Sequence, residues 1–262
     1  MKRLFAAPTV ALAMSVLSIG AFAQDRTTER ILREALMDQQ KEPMTFPTLS
    51  NRSGYAREPR VVKKGLLAPS QDDRLRLAAF LQTPNTGLIR LLPREVYDSQ
   101  MYPTAKKIDI RGGGAYYSFS DRTHAYGFGS DIELDHNRLG VGFAGADYGM
   151  LTSLGDVPLE AITLADPRVQ FLSSYRPQYS EPLARAEFRR MNRGGVVVDG
   201  LLYRRFLRAA ENTTYLLRSI VYDRTDVLVA LRVVRKDTDG SVIIAWKQLK
   251  KYPKPELRNR AR

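Results

Sequence analysis

The acidic side chains of one short segment are the ones best placed to do chemistry in this sequence. The segment SDIELDH places Asp131, Glu133 and Asp135 at alternate positions, and His136, one of only two histidines, follows them. Alternation predicts that the three carboxylates share one face of a β-strand. Same-side neighbours stand about 6.6–6.8 Å apart, so two adjacent carboxylates reach one metal ion, whereas three do not without a bulge. The candidate metal ligands are therefore Asp131 and Glu133.

Repulsion between like charges on one strand face favours a simpler interpretation, in which this face is open to water and binds no metal. A catalytic acid–base pair is the alternative, and its candidates are Glu133, Asp135 and Asp147. Glycosidase pairs need two carboxyls about 5–10 Å apart across a cleft, and sequence does not give that distance. Exposed carboxylates would support the solvated face, and a buried, convergent pair in a cleft would support a hydrolase. His136 falls at a predicted hairpin turn, where an exposed histidine needs no special role.

Other catalytic signatures are missing from the sequence. The glycine run RGGGAYY, residues 111–117, would suit an esterase oxyanion hole, but no G-x-S-x-G nucleophile elbow accompanies it. There is also no G-K-[ST] phosphate loop, no H-E-x-x-H zinc motif and no EF-hand loop. With zero cysteines, disulfides, thiolate metal sites and thiol nucleophiles are excluded. We therefore interpret the glycine run as a tight bend and expect no cofactor.

The first 23 residues have the pattern of a bacterial secretory signal peptide. Lys2 and Arg3 precede the apolar stretch TVALAMSVLSIGAFA, and Ala21 and Ala23 fit the small-x-small cleavage rule. We predict cleavage before Gln24 and a periplasmic or secreted protein with no transmembrane segment after cleavage. Export argues against nucleic acid as a partner.

Positive charge is concentrated in the last third of the chain. Residues 167–262 hold 21 basic and 9 acidic side chains, whereas residues 111–166 hold 3 basic and 8 acidic ones. Such a surface favours solubility, and it also favours an envelope protein or an anionic surface or polymer as partner. We expect these charges, Arg218 among them, at strand ends and edges. The candidate partner-binding residues are Lys247, Lys250, Lys251, Arg235 and Lys236. The sequence leaves the oligomeric state undetermined.

Strand patterns outnumber helix patterns. Ser70 is a predicted N-cap with Asp72 and Asp73 in the first helical turn, and EPLARAEFRRMNRGG predicts a second helix. The stretches TTYLLRSIVY, DVLVALRVVRKD and SVIIAWKQLKKY predict three strands that are apolar on both faces, so this meander should be covered on both sides. Further strands are expected within 106–120 and on both sides of an HN turn at 136–137. The Asp-Gly pairs at 199–200 and 239–240 predict hairpin turns.

These patterns predict a mainly β (α+β) fold, an antiparallel β-sandwich or open barrel with a few appended helices, mostly N-terminal. The predicted organisation is a signal peptide at 1–23, an N-terminal helix and extended linker at 24–69, a β-rich globular domain at 70–252 and a flexible basic tail at 253–262. We expect a non-enzymatic binding or interaction module of the cell envelope. The alternative is a hydrolase that acts on envelope carbohydrate or lipid through carboxylates of the 131–147 region.

Overall fold

A computed structural model describes residues 65–127, 129–143 and 145–258 of the chain. Antiparallel sheets dominate, with 34% strand against 20% helix, which confirms the predicted mainly β class. The predicted signal peptide, the predicted N-terminal helix and most of the predicted linker fall in residues 1–64. They lie outside the described residues, as do positions 259–262 of the predicted tail.

Eleven strands occur within the described residues. They are β1 (Thr86–Leu91), β2 (Tyr116–Tyr117), β3 (Ile132–Asp135), β4 (Arg138–Gly140), β5 (Tyr148–Gly155), β6 (Val196–Val198), β7 (Leu201–Tyr203), β8 (Phe206–Arg208), β9 (Thr213–Val221), β10 (Thr225–Lys236) and β11 (Val242–Lys251). The three long C-terminal strands and the hairpin turns at 136–137, 199–200 and 239–240 confirm the predictions made from alternation and turn residues. Strand β5 was not predicted, and residues 106–110, which the sequence predicted as a strand, form none.

Five α-helices are described: α1 (Gln71–Arg76), α2 (Ala78–Leu81), α3 (Arg94–Tyr97), α4 (Gln170–Ser174) and α5 (Glu181–Arg193). The predicted N-cap of α1 is confirmed, because the Ser70 hydroxyl accepts from Asp73 N at 3.1 Å and Ser70 N donates back to the Asp73 carboxylate. Such a reciprocal pair satisfies two backbone donors at a helix start. The longest described helix, α5, lies between β5 and β6 rather than near the N-terminus, and none of the described helices is long and apolar enough to cross a bilayer.

The strands form a large five-stranded sheet in the order β1-β11-β10-β9-β5 and a smaller four-stranded sheet in the order β2-β3-β4-β8. All pairings within them are antiparallel. Strands β6 and β7 make a separate hairpin. Two sheets with facing apolar surfaces are the architecture of a β-sandwich.

The large sheet is covered on both faces, as the sequence predicts. Residues Val227, Val229 and Leu231 of β10 pack in one buried cluster with Ile132 and Leu134 of the small sheet. Leu228 and Ala230 point the other way, into a second cluster that includes side chains of α4 and α5. The molecule therefore has three layers: small sheet, large sheet and helices.

Two segments depart from regular structure for identifiable reasons. Gly112, Gly113 and Gly114 have φ values of +78°, +63° and +72°, which confirms the tight bend. A Cβ on Gly113 would lie 2.4 Å from the backbone carbon of Tyr97, so the bend also lets two backbones approach. Residues 253–258, expected to be flexible, are instead held against the domain: Asp223 N donates to Pro255 O and Arg258 N to Tyr179 O.

Candidate functional site

Strand β3 brings the acidic segment into the interior of the molecule. It pairs with β2 on one side and with β4 on the other, and the β3–β4 turn places His136 and Asn137 at φ +46° and +59°. Asp131, Glu133 and Asp135 are exposed by 0%, 1% and 1%. The predicted solvated face is therefore wrong. The repulsion argument failed because other parts of the chain cover these carboxylates and supply partners for them.

The three carboxylates also do not share one environment. Asp131 N donates to Tyr117 O at 2.8 Å, although Ile132 is the residue that faces Tyr117 across the ladder. Asp131 precedes β3, which begins at Ile132. The strand alternation on which the shared-face prediction depended therefore does not extend to Asp131, and Asp131 and Glu133 have different neighbours.

Asp131 is surrounded by hydroxyl and backbone groups. Its Oδ2 accepts from Phe119 N at 2.8 Å, and Oδ1 has no hydrogen-bond partner within the described residues. Burial raises the pKa of Asp131 to about 7. The Ser219 hydroxyl lies near enough to Asp131 to lower this pKa, but it makes no hydrogen bond of ordinary geometry. No basic side chain is among the groups that shift this pKa.

Glu133 is surrounded by arginines and a tyrosine. Arg94 Nη1 lies 3.7 Å from its Oε2, and Arg94 Nε also donates to Asp98 Oδ2 at 3.2 Å. Burial raises the pKa of Glu133, and the positive charges of Arg205 and Arg94 oppose that rise. Tyr116 adds a hydrogen bond to the carboxylate. These partners make Glu133 part of a buried, charge-balanced network.

Arg205, the second cation of this network, is held in a fixed position. Its Nε donates to the carbonyls of Val141 and Gly142, both at 3.1 Å, and its guanidinium lies 4.4 Å from the ring centroid of Phe206. Burial lowers the pKa of Arg205 to about 10, and the negative charge of Glu133 opposes this change. Because even the lowered pKa is above neutrality, Arg205 remains a cation beside Glu133 at pH 7.

Asp135 lies at the edge of the same network, next to solvent. Its Oδ1 accepts from Tyr102 OH at 2.9 Å and from His136 Nδ1 at 3.0 Å, while Glu95 Oε2 accepts from His136 N. One potential metal-ligating atom from each of Glu95, Asp135 and His136 lies within 4.8 Å of the others. Of the two candidate metal ligands from the sequence, neither belongs to this group.

Asp147, the third candidate for acid–base chemistry, has a structural contact. Its Oδ1 accepts from Tyr222 N at 2.9 Å, which ties the start of β5 to the end of β9. Burial raises the pKa of Tyr126, and the charges of Glu133 and Asp147 add to the rise, so both carboxylates lie near this ring. The fold thus gathers Glu133, Asp135 and Asp147 in one region, where Arg94 and Arg205 offset their charge.

The predicted partner-binding residues are spread along the β10–β11 hairpin, with Arg235 and Lys236 at one end, Lys250 and Lys251 at the other, and Lys247 between them. Lys236 pairs with Val242 and Lys251 with Val227, so Lys236 and Lys251 lie at opposite ends of the β10–β11 hairpin. Eight residues of β11 between Val242 and Lys250 correspond to about 26 Å of strand. The five residues therefore do not form one patch.

These five partner-binding candidates also differ in whether their charges already have partners within the protein. Arg235 pairs with Asp73 at 2.7 Å and also with Asp237, and Lys236 Nζ donates to Asn137 Oδ1. Lys247 Nζ donates to the carbonyl of Glu160, and burial lowers the pKa of Lys247. Lys250 and Lys251 are exposed.

Arg218, which the sequence predicted at a strand end or edge, lies fully buried in the middle of β9. It makes two bonds to Asp226, at 2.5 and 2.8 Å, and donates to Leu172 O at 2.6 Å. Its guanidinium stacks 3.3 Å from the ring centroid of Tyr252. Arg218 and Asp226 contribute to a cavity of about 410 Å³ together with Tyr175 and other residues, but they neutralise each other there.

A second cavity, of about 390 Å³, opens beside edge strand β1. Leu88 and Ile89 of β1 and the ring of Tyr117 give it apolar walls, and Arg74 and Arg122 add two exposed guanidinium groups. No carboxylate pairs with either arginine within the described part of the chain. We call this the β1 cavity.

The neutral wall of the β1 cavity is fixed by an aromatic cluster. His124 Nε2 lies 3.0 Å from Arg90 O, and a carbonyl only accepts, so Nε2 carries the proton. Burial lowers the pKa of His124 to about 4, and the imidazole is neutral at pH 7. The His124 ring meets Tyr117 edge to face at 4.9 Å, and Arg122 lies 5.5 Å from the ring of Trp246.

Sequence reasoning missed the β1 cavity and the arginines around Glu133. Arg74 and Arg122 are 48 positions apart and belong to no motif, so only the tertiary fold places them at one cavity. Comparison of the chain with protein-family models, with curated proteins and with solved structures found no match.

Proposed function

We propose that this protein is an exported, non-enzymatic binding module of the cell envelope, and that its β1 cavity takes up an anionic group of its partner. The observation that carries the proposal is the presence of two exposed guanidinium groups, Arg74 and Arg122, at a concave site with apolar walls, where no carboxylate of the described residues pairs with them. Guanidinium groups match carboxylate and phosphate oxygens with two parallel hydrogen bonds. The cavity volume also falls within the range of about 300–1,000 Å³ that ligand sites occupy.

The rest of the cavity supports selection of an anion with an apolar part. His124 is neutral and adds no charge of its own, while Tyr117, Leu88 and Ile89 offer apolar surface. Arg90 directs its carbonyl outward to His124, so by strand alternation the N–H and C=O of Leu88 also point away from β11. These backbone groups can bond to a ligand that lies along β1.

Concave shape favours a group projecting from a polymer or protein over a flat lipid surface. Envelope polymers carry such groups along their length. The predicted signal peptide supports this location and the predicted partner, an envelope protein or anionic polymer.

The carboxylates of the 131–147 region support the hydrolase alternative less well. A general acid or base must reach its substrate. Glu133 is enclosed by Arg94 and Tyr116, and Asp147 bonds to Tyr222 N. Neither carboxylate lines either of the two cavities described above.

Binding to immobilised polyanions tests this proposal. The protein is passed at low and at physiological salt over polyglutamate, over polyphosphate and over isolated cell wall, and anionic vesicles of phosphatidylglycerol and phosphatidylcholine provide a lipid arm. We expect retention on at least one polymer that weakens as salt shortens the Debye length from about 30 Å toward about 8 Å. Polyglutamate and polyphosphate separate carboxylate from phosphate recognition.

A matched pair of charge reversals locates the site. Two double variants change the net charge by the same amount: Arg74→Glu with Arg122→Glu, and Lys250→Glu with Lys251→Glu. All four side chains are exposed. We expect the first pair to abolish retention and the second to leave most of it. Equal loss in both variants would assign binding to net charge alone, and no retention of the parent on any polymer at low salt would refute the proposal.

A further inference from the structure

We infer that Asp131 anchors a binding site for a hard divalent cation, Ca²⁺ being the best match, at one end of the β-sandwich. The inference concerns a different part of the molecule from the β1 cavity and does not depend on the proposed function. A group of buried oxygen atoms in this region has no hydrogen-bond partner among the described residues.

Five such oxygens come from the segments around Asp131. None of them has a hydrogen-bond partner in the parts of the chain that the structure describes. They are Ser120 Oγ, Ser130 Oγ, Asp131 Oδ1, Ser219 Oγ and Thr225 Oγ1. Buried polar groups in native proteins nearly always have partners, so a group of unpartnered oxygens points to an additional ligand.

The fold brings these segments together from distant positions. Asp131 lies close enough to Ser219 of β9 and to Ser120 for both to affect its pKa. A Cβ built on Gly129 would lie 3.5 Å from Arg224 Cδ and 3.9 Å from Thr225 Oγ1, which places the 129–131 segment against the start of β10. Ser219 faces Val227 across the β9–β10 ladder, and Thr225 is the next residue on the same face of β10.

The chemistry of this set suits a hard cation. Ca²⁺ is coordinated by oxygen atoms from carboxylates, hydroxyls and carbonyls at about 2.3–2.6 Å. Asp131 supplies one buried carboxylate, and Asp121, whose charge acts on Asp131, supplies a second one that is exposed. The exposed carboxylate gives a route for the ion from solvent. A zinc-type ion is a poorer match, because no nitrogen or sulfur ligand is in the set.

Glu133 provides the contrast within the same strand. Its carboxylate has Arg94 at 3.7 Å and the Arg205 cation nearby, so a metal ion there would be repelled. Of the two candidate metal ligands from the sequence, Asp131 is the one that forms no ion pair with a basic side chain among the described residues. With few carboxylates, we expect weak affinity, with Kd on the order of 10⁻⁴–10⁻³ M, as in extracellular modules.

Thermal unfolding with and without calcium tests the inference. In chelator-treated protein at pH 8, 10 mM CaCl₂ should raise the Tm by about 5 °C relative to NaCl of equal ionic strength. Asp131→Asn should remove this rise, and Asp121→Asn should reduce it. Glu95→Gln, which alters the separate Glu95–Asp135–His136 group, should leave it intact.

The following results would argue against a calcium site at Asp131. No calcium-dependent rise in the parent, or an undiminished rise in Asp131→Asn, overturns the inference. Loss of the calcium-dependent Tm rise in Glu95→Gln would place the ion at the Glu95–Asp135–His136 group and would also overturn the inference. If Asp131→Asn does not fold, terbium luminescence excited through the tyrosines decides the matter: the parent should show emission that calcium competes away, and no such emission would refute the site.

Discussion

Asp131 and Glu133 are separated by one residue, are equally buried and carry the same charge, yet the chain surrounds them differently. Glu133 has two arginines and a tyrosine around it. Asp131 has a backbone N–H, two nearby serines and no cation among the groups that shift its pKa. Moving a charge out of water is costly unless a partner offsets the cost. The comparison shows that the protein itself compensates one carboxylate and leaves the other to a proton or an external ion.

The largest effect is expected from removing the compensation at Glu133. Arg94→Met leaves Asp98 without its arginine and leaves Glu133 with Arg205 as its remaining cation, in a buried site. Breaking a buried ion pair from one side costs about 3–5 kcal/mol. We expect a loss of that size in the free energy of unfolding, measured by urea denaturation at pH 7.

A second substitution shows whether the loss arises from Glu133. Glu133→Gln in the Arg94→Met background removes a buried charge that Arg205 alone would then offset, so part of the lost stability should return. A double-mutant cycle should give a coupling free energy of at least about 1 kcal/mol between the two positions. Strictly additive effects would mean that Arg94 stabilises the fold through other contacts.

An intermediate and pH-dependent effect is expected at Asp131. Burial raises its pKa from 3.8 to about 7, so between these values the folded state binds the extra proton. Stability from this group is therefore present at low pH and is lost as pH rises through the window. At 1.36 kcal/mol for each pKa unit, the cost at pH 8 is at most about 4 kcal/mol.

Asp131→Asn, which cannot ionise, should thus gain stability relative to the parent as pH rises from 4 to 8 in calcium-free buffer. His124 titrates in both proteins, and its lowered pKa gives the opposite slope below pH 6.5. Taking the difference between parent and variant removes the contribution of His124. A difference that does not change with pH would contradict the buried, uncompensated charge.

The smallest effect is expected at the exposed end of the strand. His136 is 51% exposed in its side chain and donates to Asp135, which also accepts from Tyr102. His136→Asn keeps a residue that tolerates φ +46° and removes the imidazole. Since Tyr102 still satisfies Asp135, urea denaturation should show a change within about 0.5 kcal/mol. A loss above 1 kcal/mol would show that Asp135 depends on His136 as Glu133 depends on Arg94.

Local patterns predicted most of the secondary structure. The Ser70 cap, the turns at Asp199-Gly200 and Asp239-Gly240 and the three C-terminal strands were all predicted, because capping, left-handed turns and alternation each depend on a few adjacent residues. The strand predicted at residues 106–110 does not form, because no other strand within the described residues pairs with this segment. Strand β5 was missed because its sequence, YGMLTSLG, contains two glycines and weak alternation.

The candidate sites were harder to predict, because burial and charge balance depend on distant segments. Arg94 and Arg205 lie 39 and 72 positions from Glu133, and Arg235 reaches Asp73 across 162 positions. Arg218 was expected near solvent, yet Asp226 and Tyr252 enclose it. No local pattern records such contacts.

By itself, the sequence determined the mainly β class, the positions of the long strands and the acidic character of β3. Tertiary structure alone decided that the acidic residues are buried, that Asp131 lies outside strand β3, and that among the described residues an arginine pairs with Glu133 but not with Asp131. The physical reason is that the period of a strand is fixed by neighbouring residues, whereas the free energy of a charge is fixed by whatever the fold packs around it.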